Sequence, residues 1–307
     1  MNTHNDRPRH RGWEDGYGTR SCAGGRARRL CQADPRRGRG PRPVLEAAYA
    51  AVRREDFLGP GPWPALRFGR GYRDTPSDDP VYLYTDDLFG IVPARRLNNG
   101  QPSLHAWLLS KAAPRPGEHL VHVGTGLGYY TAIMAQMVGR GGRVTGIEFD
   151  PDLAARARAN FAAWPNVEIL TGDGAAMPFA PADVIYVNAG AAAPARLWLD
   201  GLNLGGRLVL PLTTAENFRS ETADPAKMAS RGAVFLIARH AAGYSAKWIS
   251  PVAIFPCAGD RDGDAERSLA AALAGGGVLN VARLDRTPHA PAETCWLHGD
   301  GWCLAAA

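Results

Sequence analysis

Val121-His122-Val123-Gly124-Thr125-Gly126-Leu127-Gly128-Tyr129 is the stretch that decides how this chain folds. A short apolar strand runs directly into three alternating glycines, which let a backbone turn tightly and approach a ligand with no Cβ in the way. Residues 130–138 are expected to be helical, so the free N–H groups at that helix start face the crevice beyond the strand. Strand, glycine turn and helix start together make a nucleotide-type site.

Spacing narrows the ligand. A dinucleotide loop reads G-x-G-x-x-G, with the third glycine packing helix on strand under a pyrophosphate. Here the third glycine comes one residue early and Tyr129 takes the last position. S-adenosyl-L-methionine has no phosphate and asks the loop only for close contact along its amino-acid and ribose parts, so G-x-G-x-G suits it.

The alternation continues downstream. Gly142-Arg143-Val144-Thr145-Gly146-Ile147-Glu148 is expected to be a second strand ending in an acid, whose carboxylate can accept both hydroxyls of a ribose. A helix over 151–164 opens on Pro-Asp, and a third strand over 166–170 leads to Asp173 and Gly174, placed to read an adenine edge. A fourth strand over 183–187, a helix over 194–202 and a fifth strand over 206–210 follow. This order predicts an α/β, Rossmann-like sheet, mostly parallel, with helices on both faces.

The formal charge of +5 is uneven, because residues 1–42 hold 11 Arg against four acids and the rest is slightly acidic. That segment has almost no apolar periodicity and is expected to be a disordered, solvated tail. Trp13 and Tyr17 are its only stacking groups, too few for a nucleic-acid platform, so no nucleic-acid partner is expected. No apolar run approaches the ~18 residues of a membrane span and no signal-like segment opens the chain. Five scattered cysteines form no C-x-x-C pair, and a reducing cytoplasm is the expected setting.

Between tail and sheet, residues 44–52 are Ala-rich and helical, and Gly59-Pro60-Gly61-Pro62-Trp63-Pro64 ends that run. Residues 65–100 offer short apolar pieces but no assignable element. Gln101-Pro102-Ser103 opens a helix reaching 112.

The ordered set Val52-Arg53-Arg54-Glu55-Asp56-Phe57, Gln101-Pro102, 121–129, 142–148, Gly172-Asp173-Gly174 and Gly205-Gly206-Arg207-Leu208-Val209-Leu210-Pro211 resembles the protein-L-isoaspartate O-methyltransferase family over roughly residues 44–259. Within that span Val252-Ala253-Ile254-Phe255-Pro256 is similar to the family's closing strand. The resemblance implies a seven-stranded sheet, S-adenosyl-L-methionine as methyl donor, and a carboxylate of a protein or peptide as acceptor. A small metabolite or another peptide is the alternative acceptor, and a non-catalytic binding module the alternative of another class. Carried over, Gly124, Gly126 and Gly128 hold the methionine side, Glu148 the ribose, and Asp173 with Gly174 the adenine. His122, Thr125 and Tyr129 in the loop and Asn188 at the fourth strand end complete the expected cofactor set. Val187-Asn188-Ala189-Gly190-Ala191 does not resemble the Asn-Pro-Pro-Tyr signature of amine methylation, which counts against adenine or glutamine acceptors.

Three departures from the family stand out. Gln101 and Pro102 match the end of the family's Thr-Ile-Ser-Gln-Pro segment, but Asn98, Asn99 and Gly100 replace Thr, Ile and Ser, so the hydroxyl beside the acceptor is missing. Asn98, Gln101, Ser103 and His105 are the candidate catalytic groups. His122 stands where the family has Glu, and residues 78–96 run longer than the family's equivalent. An altered acceptor pocket is expected.

The chain divides into a tail (1–42), a cap and acceptor region (43–115), a cofactor domain (116–259) and a C-terminal extension (260–307). The extension is expected to hold a helix over 264–273, a strand over 278–284, and a hairpin of 293–297 with 301–304. Trp296 and Trp302 call for burial against the core or a subunit. Cys295, His298 and Cys303 supply three groups against the four that a metal needs, so no metal is expected.

Overall fold

The computed structural model describes residues 43–67, 70–214, 232–257 and 262–307; the expected tail lies outside them. Helix α1 (Pro43–Ala51) and the single turn α2 (Glu55–Leu58) lead to a small antiparallel sheet. Its strands are β1 (Pro64–Arg67), β2 (Gly71–Asp74), β3 (Phe89–Val92) and β4 (Leu97–Asn99), in the order β2-β1-β3-β4. Helix α3 (Pro102–Ala112) starts at the expected Gln-Pro, where proline's fixed φ suits a first helical position.

The central sheet begins with β5 (His119–Val123), all five residues of which are buried. Burial of every position, the two histidines included, marks a strand covered on both faces. Then come α4 (Tyr129–Val138), β6 (Arg143–Glu148), α5 (Pro151–Asn160), β7 (Val167–Thr171), β8 (Ala182–Val187), α6 (Arg196–Asp200) and β9 (Leu202–Thr213). These five strands are parallel in the order β7-β6-β5-β8-β9. Helices α1, α3, α4 and α5 pack on one face, and α6 on the other.

The sheet closes differently from the expectation at 252–256. Strands β10 (Gly232–His240) and β11 (Gly243–Pro251) form an antiparallel hairpin beside β9, completing seven strands of which five are parallel. Residues 252–255 instead leave the sheet, and Pro256 makes only an isolated bridge to Gly190. Proline at 256 removes an N–H group that a ladder would need.

The C-terminal extension prolongs this sheet. After α7 (Gly263–Gly275), strands β12 (Val281–Asp285), β13 (Cys295–Gly299) and β14 (Trp302–Ala306) join beyond β11 in the order β11-β12-β14-β13, making ten strands. Trp296 and Trp302 pack against the core on the α6 face, and the Trp296 indole N–H donates to the Gly276 carbonyl at 2.8 Å. No helix among the described residues is long and apolar enough to cross a membrane.

Cap and sheet are joined by a fully buried cation, Arg54. Its guanidinium donates to Asn99 Oδ1 (2.8 Å) and to the carbonyls of Leu83 (2.9 Å), Thr85 (3.3 Å), Asp87 (3.1 Å) and Gly100 (3.2 Å). It also lies 4.9 Å from the Phe89 ring centroid and 5.6 Å from that of Tyr129. All five donors of the fork are used, each on a neutral oxygen.

Removing that fork strands buried acceptors, so Arg54→Met is expected to lower unfolding free energy by at least about 3 kcal/mol in urea titration. Arg54→Lys, with three donors, should rescue only part of it.

Burial lowers the pKa of three histidines: His105 falls well below the ordinary value, His119 falls, and His122 drops to about 3. The unfolded chain takes up these protons near pH 6.5 while the folded chain does not, so stability is lost as pH falls below that point. The urea midpoint is expected to drop between pH 7 and 5.5. His122 alone contributes about 1 kcal/mol of that fall, and His122→Gln should flatten the profile accordingly.

Candidate functional site

A cavity of about 910 Å³ opens at the C-terminal ends of β5, β6, β7 and β8, the crevice where open α/β sheets bind ligands. Its lining comes from both halves of the molecule. The glycine turn and strand ends face residues 95–101 of the cap, His105 and Tyr130, while 251–257 and the start of α7 at Asp262 and Ala265 complete the wall.

The glycine turn divides its labour. Gly124, Gly126 and Gly128 have φ of +79°, +57° and +98°, a region costly for side-chain-bearing residues. Gly124 and Gly126 line the cavity, and a Cβ on Gly124 would sit 3.1 Å from the Asn188 carbonyl oxygen. Gly128 is not in the lining. A Cβ there would meet the Phe161 ring at 2.3 Å, so this glycine seats α4 against that ring rather than touching a ligand.

Glu148 ends β6 at the cavity edge and is 8% exposed. Its Oε2 accepts the Gly126 N–H at 2.6 Å and its Oε1 the Asp150 N–H at 3.0 Å, fastening the glycine turn to the strand tip. Each oxygen keeps a lone pair for a ligand hydroxyl. Burial raises its pKa, and the backbone N–H groups of Asp150, Gly126 and Phe149 oppose that rise. Asp150 caps α5 through the N–H groups of Asp152 and Leu153 and accepts Arg95 Nη1 at 2.5 Å, which closes the cap onto the same tip.

The remaining cofactor candidates separate by geometry. Thr125 donates its hydroxyl within the turn, to the His122 carbonyl at 3.3 Å, and the Asn188 amide donates to the Gly124 carbonyl at 3.3 Å. Asp173 accepts the Ala175 N–H at 2.9 Å, and Gly174 presses on Val123, where a Cβ would fall 2.3 Å from Cγ1. Thr125, Tyr129, Asp173, Gly174 and Asn188 all line the cavity. His122 does not: it is fully buried with Nδ1 2.8 Å from the Thr131 hydroxyl, because alternation along β5 turns it toward α4.

On the acceptor side, three of the four candidate groups are spent on the loop itself. Asn98 accepts the Tyr72 hydroxyl at 2.6 Å and donates to the Arg96 carbonyl at 2.7 Å, and Gln101 donates to Asp86 Oδ2 at 2.8 Å. Ser103 is outside the lining and binds Asp86 through both its N–H and its hydroxyl, each at 2.7 Å.

His105 is different. It stacks on Tyr130 at 3.6 Å between centroids, and its Nδ1 lies 2.7 Å from the Tyr186 hydroxyl. Burial keeps it neutral. A Cβ on Gly100 would fall 2.1 Å from His105 Nε2, so the ring nitrogen occupies the space that a side chain at position 100 would need.

Arg54, Asp86, Tyr130 and Tyr186 organise this wall, and none was among the candidates read from the sequence. Tyr186 carried one legible sign, a hydroxyl inside the apolar run Val184-Ile185-Tyr186-Val187 that demands a buried partner.

The family model described as Protein-L-isoaspartate(D-aspartate) O-methyltransferase (PCMT) matches residues 80–232. The chain is 35% identical over 159 residues to a protein-L-isoaspartate O-methyltransferase of Ignicoccus hospitalis, covering 50% of this chain and 69% of that protein. It is 39% identical over 108 residues to protein-L-isoaspartate O-methyltransferase 1 of Archaeoglobus fulgidus, covering 34% of this chain but only half the length of that relative. In fold it is similar to a Plasmodium falciparum structure described as a protein-L-isoaspartate O-methyltransferase in complex with S-adenosyl-L-homocysteine. The TM-score is 0.55 at 18% identity, over 75% of this chain and 97% of that one. The chain belongs to the protein-L-isoaspartate O-methyltransferase family of S-adenosyl-L-methionine-dependent enzymes.

Proposed function

We propose that this protein transfers the methyl group of S-adenosyl-L-methionine to a carboxylate of an isoaspartyl or aspartate-like residue in a peptide or protein. The observation carrying this reading is that the expected donor groups (Gly124, Gly126, Glu148, Asp173) and the acceptor-side groups (Asn98, Gly100, His105) line one continuous cavity. Its residues suit the donor. Two ligand-facing glycines allow close approach, and a buried carboxylate has free lone pairs for a ribose diol.

When bound, the donor supplies a sulfonium methyl with a good leaving group, so the protein's task is alignment and desolvation. Glu148 would hold the ribose, the backbone of 124–126 would follow the methionine part, and Asp173 with Gly174 would take the adenine edge. A carboxylate acceptor is already ionised at neutral pH and needs no general base. His105, kept neutral by burial, fits the role of a donor to that carboxylate: the role requires the Tyr186 hydroxyl, 2.7 Å from Nδ1, to donate there, which puts the ring proton on Nε2, beside Gly100. Arg96 adds positive charge to the same wall.

The full chain, incubated with methyl-labelled donor and an isoaspartyl peptide, is expected to form a base-labile ester, and calorimetry to give saturable donor binding that Glu148→Ala weakens at least about tenfold. Donor binding with no ester on isoaspartyl or aspartyl peptides would move the acceptor elsewhere. Binding unaffected by Glu148→Ala would remove the ribose assignment.

Gly100→Ser restores the family residue but drives it into His105, and should lower kcat/KM on the isoaspartyl peptide at least about tenfold, or 1.4 kcal/mol. Gly100→Ser with His105→Ala frees that space and should recover part of the loss. A single variant as active as wild type would show that the position does not face the acceptor.

A further inference from the structure

The C-terminal extension gathers a second set of chemistry-bearing side chains. Cys295 and His298 lie on β13, Cys303 pairs with His298 from β14, and His289 comes from the loop between β12 and β13. Residues at i and i+3 of a regular strand face opposite sides. A register irregularity between Cys295 and Leu297 breaks that alternation and lets Cys295 and His298 converge, the re-aiming expected of a bulge.

The distances are those of a coordination shell. His289 Nε2 is 3.3 Å from Cys295 Sγ, Cys295 Sγ is 3.8 Å from His298 Nδ1, and the two imidazoles meet edge to face at 4.9 Å. One ligand atom from each of His289, Cys295, His298 and Cys303 falls within 4.8 Å of all the others. Bonds of about 2.3 Å to sulfur and 2.0 Å to nitrogen imply tetrahedral edges of roughly 3.3–3.8 Å, so the set needs little contraction. His289 Nδ1 lies 2.7 Å from the Thr287 carbonyl. Donation to that carbonyl fixes the proton on Nδ1 and leaves Nε2 bare toward the cluster, the usual arrangement behind a ligating histidine.

We propose that His289, Cys295, His298 and Cys303 bind one zinc ion in a closed, structural Cys2His2 site. Two thiolates and two imidazoles in tetrahedral reach select zinc over the oxygen-seeking cations. Four protein ligands leave no position for a substrate, so the ion's work is mechanical. It ties the 286–294 connection to the β13–β14 hairpin, the outermost pair of the sheet. Trp296 on that hairpin holds Gly276 just past α7, and the start of α7 lines the cavity at Asp262 and Ala265. The metal thus braces the element that closes one side of the cavity.

In the sequence His289 does not stand with the other three ligands, because it lies six residues before Cys295 inside a Thr-Pro-His-Ala-Pro stretch that resembles ordinary loop. Only the folding back of that loop makes it a fourth.

The test uses the full-length protein produced with zinc supplementation and dialysed. Elemental analysis is expected to give one zinc per chain, and cobalt exchange to give thiolate-to-metal charge transfer with the d–d bands of a tetrahedral site. His289→Ala changes an exposed side chain and should leave the fold intact while weakening zinc at least about tenfold in competition with a chromogenic chelator. A strong chelator should lower the melting temperature of wild type and not of this variant. Protein that holds no zinc after supplementation would overturn the site, as would a cobalt spectrum unchanged by His289→Ala. So would a Cys295–Cys303 disulfide, revealed by failure of both thiols to alkylate without reductant.

Discussion

One buried guanidinium sets the terms for the rest of the molecule. Arg54 has no carboxylate among its five hydrogen-bond acceptors and survives burial because it spends every donor on an oxygen and lies against two aromatic rings. Four of those acceptors are main-chain carbonyls between residues 83 and 100. An irregular segment carries many polar groups that cannot be buried unpaired. Gathering them on one rigid fork is what allows the loop to lie inside the protein and form a wall. The Gly100 carbonyl accepts both Arg54 and the Tyr130 hydroxyl, so the fork also fixes where α4 meets the acceptor loop.

That wall also sets what can stand where the resemblance calls for a hydroxyl. A serine and a buried histidine are not interchangeable in shape, and a simple substitution at one position would leave a void or a clash. Here position 100 has no side chain, and the His105 ring fills the space from the following helix. The ring is held by Tyr130 beneath and Tyr186 at its edge, so its free nitrogen has a defined direction where a serine hydroxyl would rotate. Desolvation keeps it uncharged at neutral pH, so its N–H can orient an ionised carboxylate without forming the ion pair that would damp the carboxylate as a nucleophile.

The sequence was most legible where chemistry is local. Strand β5, the glycine turn, the acid ending β6 and the start of α3 are each encoded within a few residues, by burial on both faces, positive φ, strand-end position and the Gln-Pro step. It was least legible where partners are distant. Gly128 looked like its two neighbours, yet its constraint is the Phe161 ring thirty-three positions on. Strands β1 to β4 are three or four residues each, too short for alternation to register. The segment 252–256 has strand composition, but Pro256 and the competing β10–β11 hairpin decide against it. His122 illustrates a further limit, since sequence places it in the loop's company while the parity of β5 turns it into the core.

The C-terminal strands pose a problem that the cofactor site does not solve. A sheet ending at β11 would present an open edge, and an uncapped edge pairs readily with other chains. The extension moves that edge outward by three strands, to β13, a five-residue strand already paired on one side with β14. Short terminal hairpins are marginal when they rest on ladder hydrogen bonds alone. This one adds Trp296 against Phe235 at 5.3 Å and the Trp296 bond to Gly276, which anchor one face to the core. The cluster around Cys295 gathers side chains from β13, β14 and the preceding loop at the place where a bulge interrupts the ladder. A cross-link there constrains the same backbone that has lost its regular pairing, and through α7 that backbone bears on the cavity where methyl transfer is proposed.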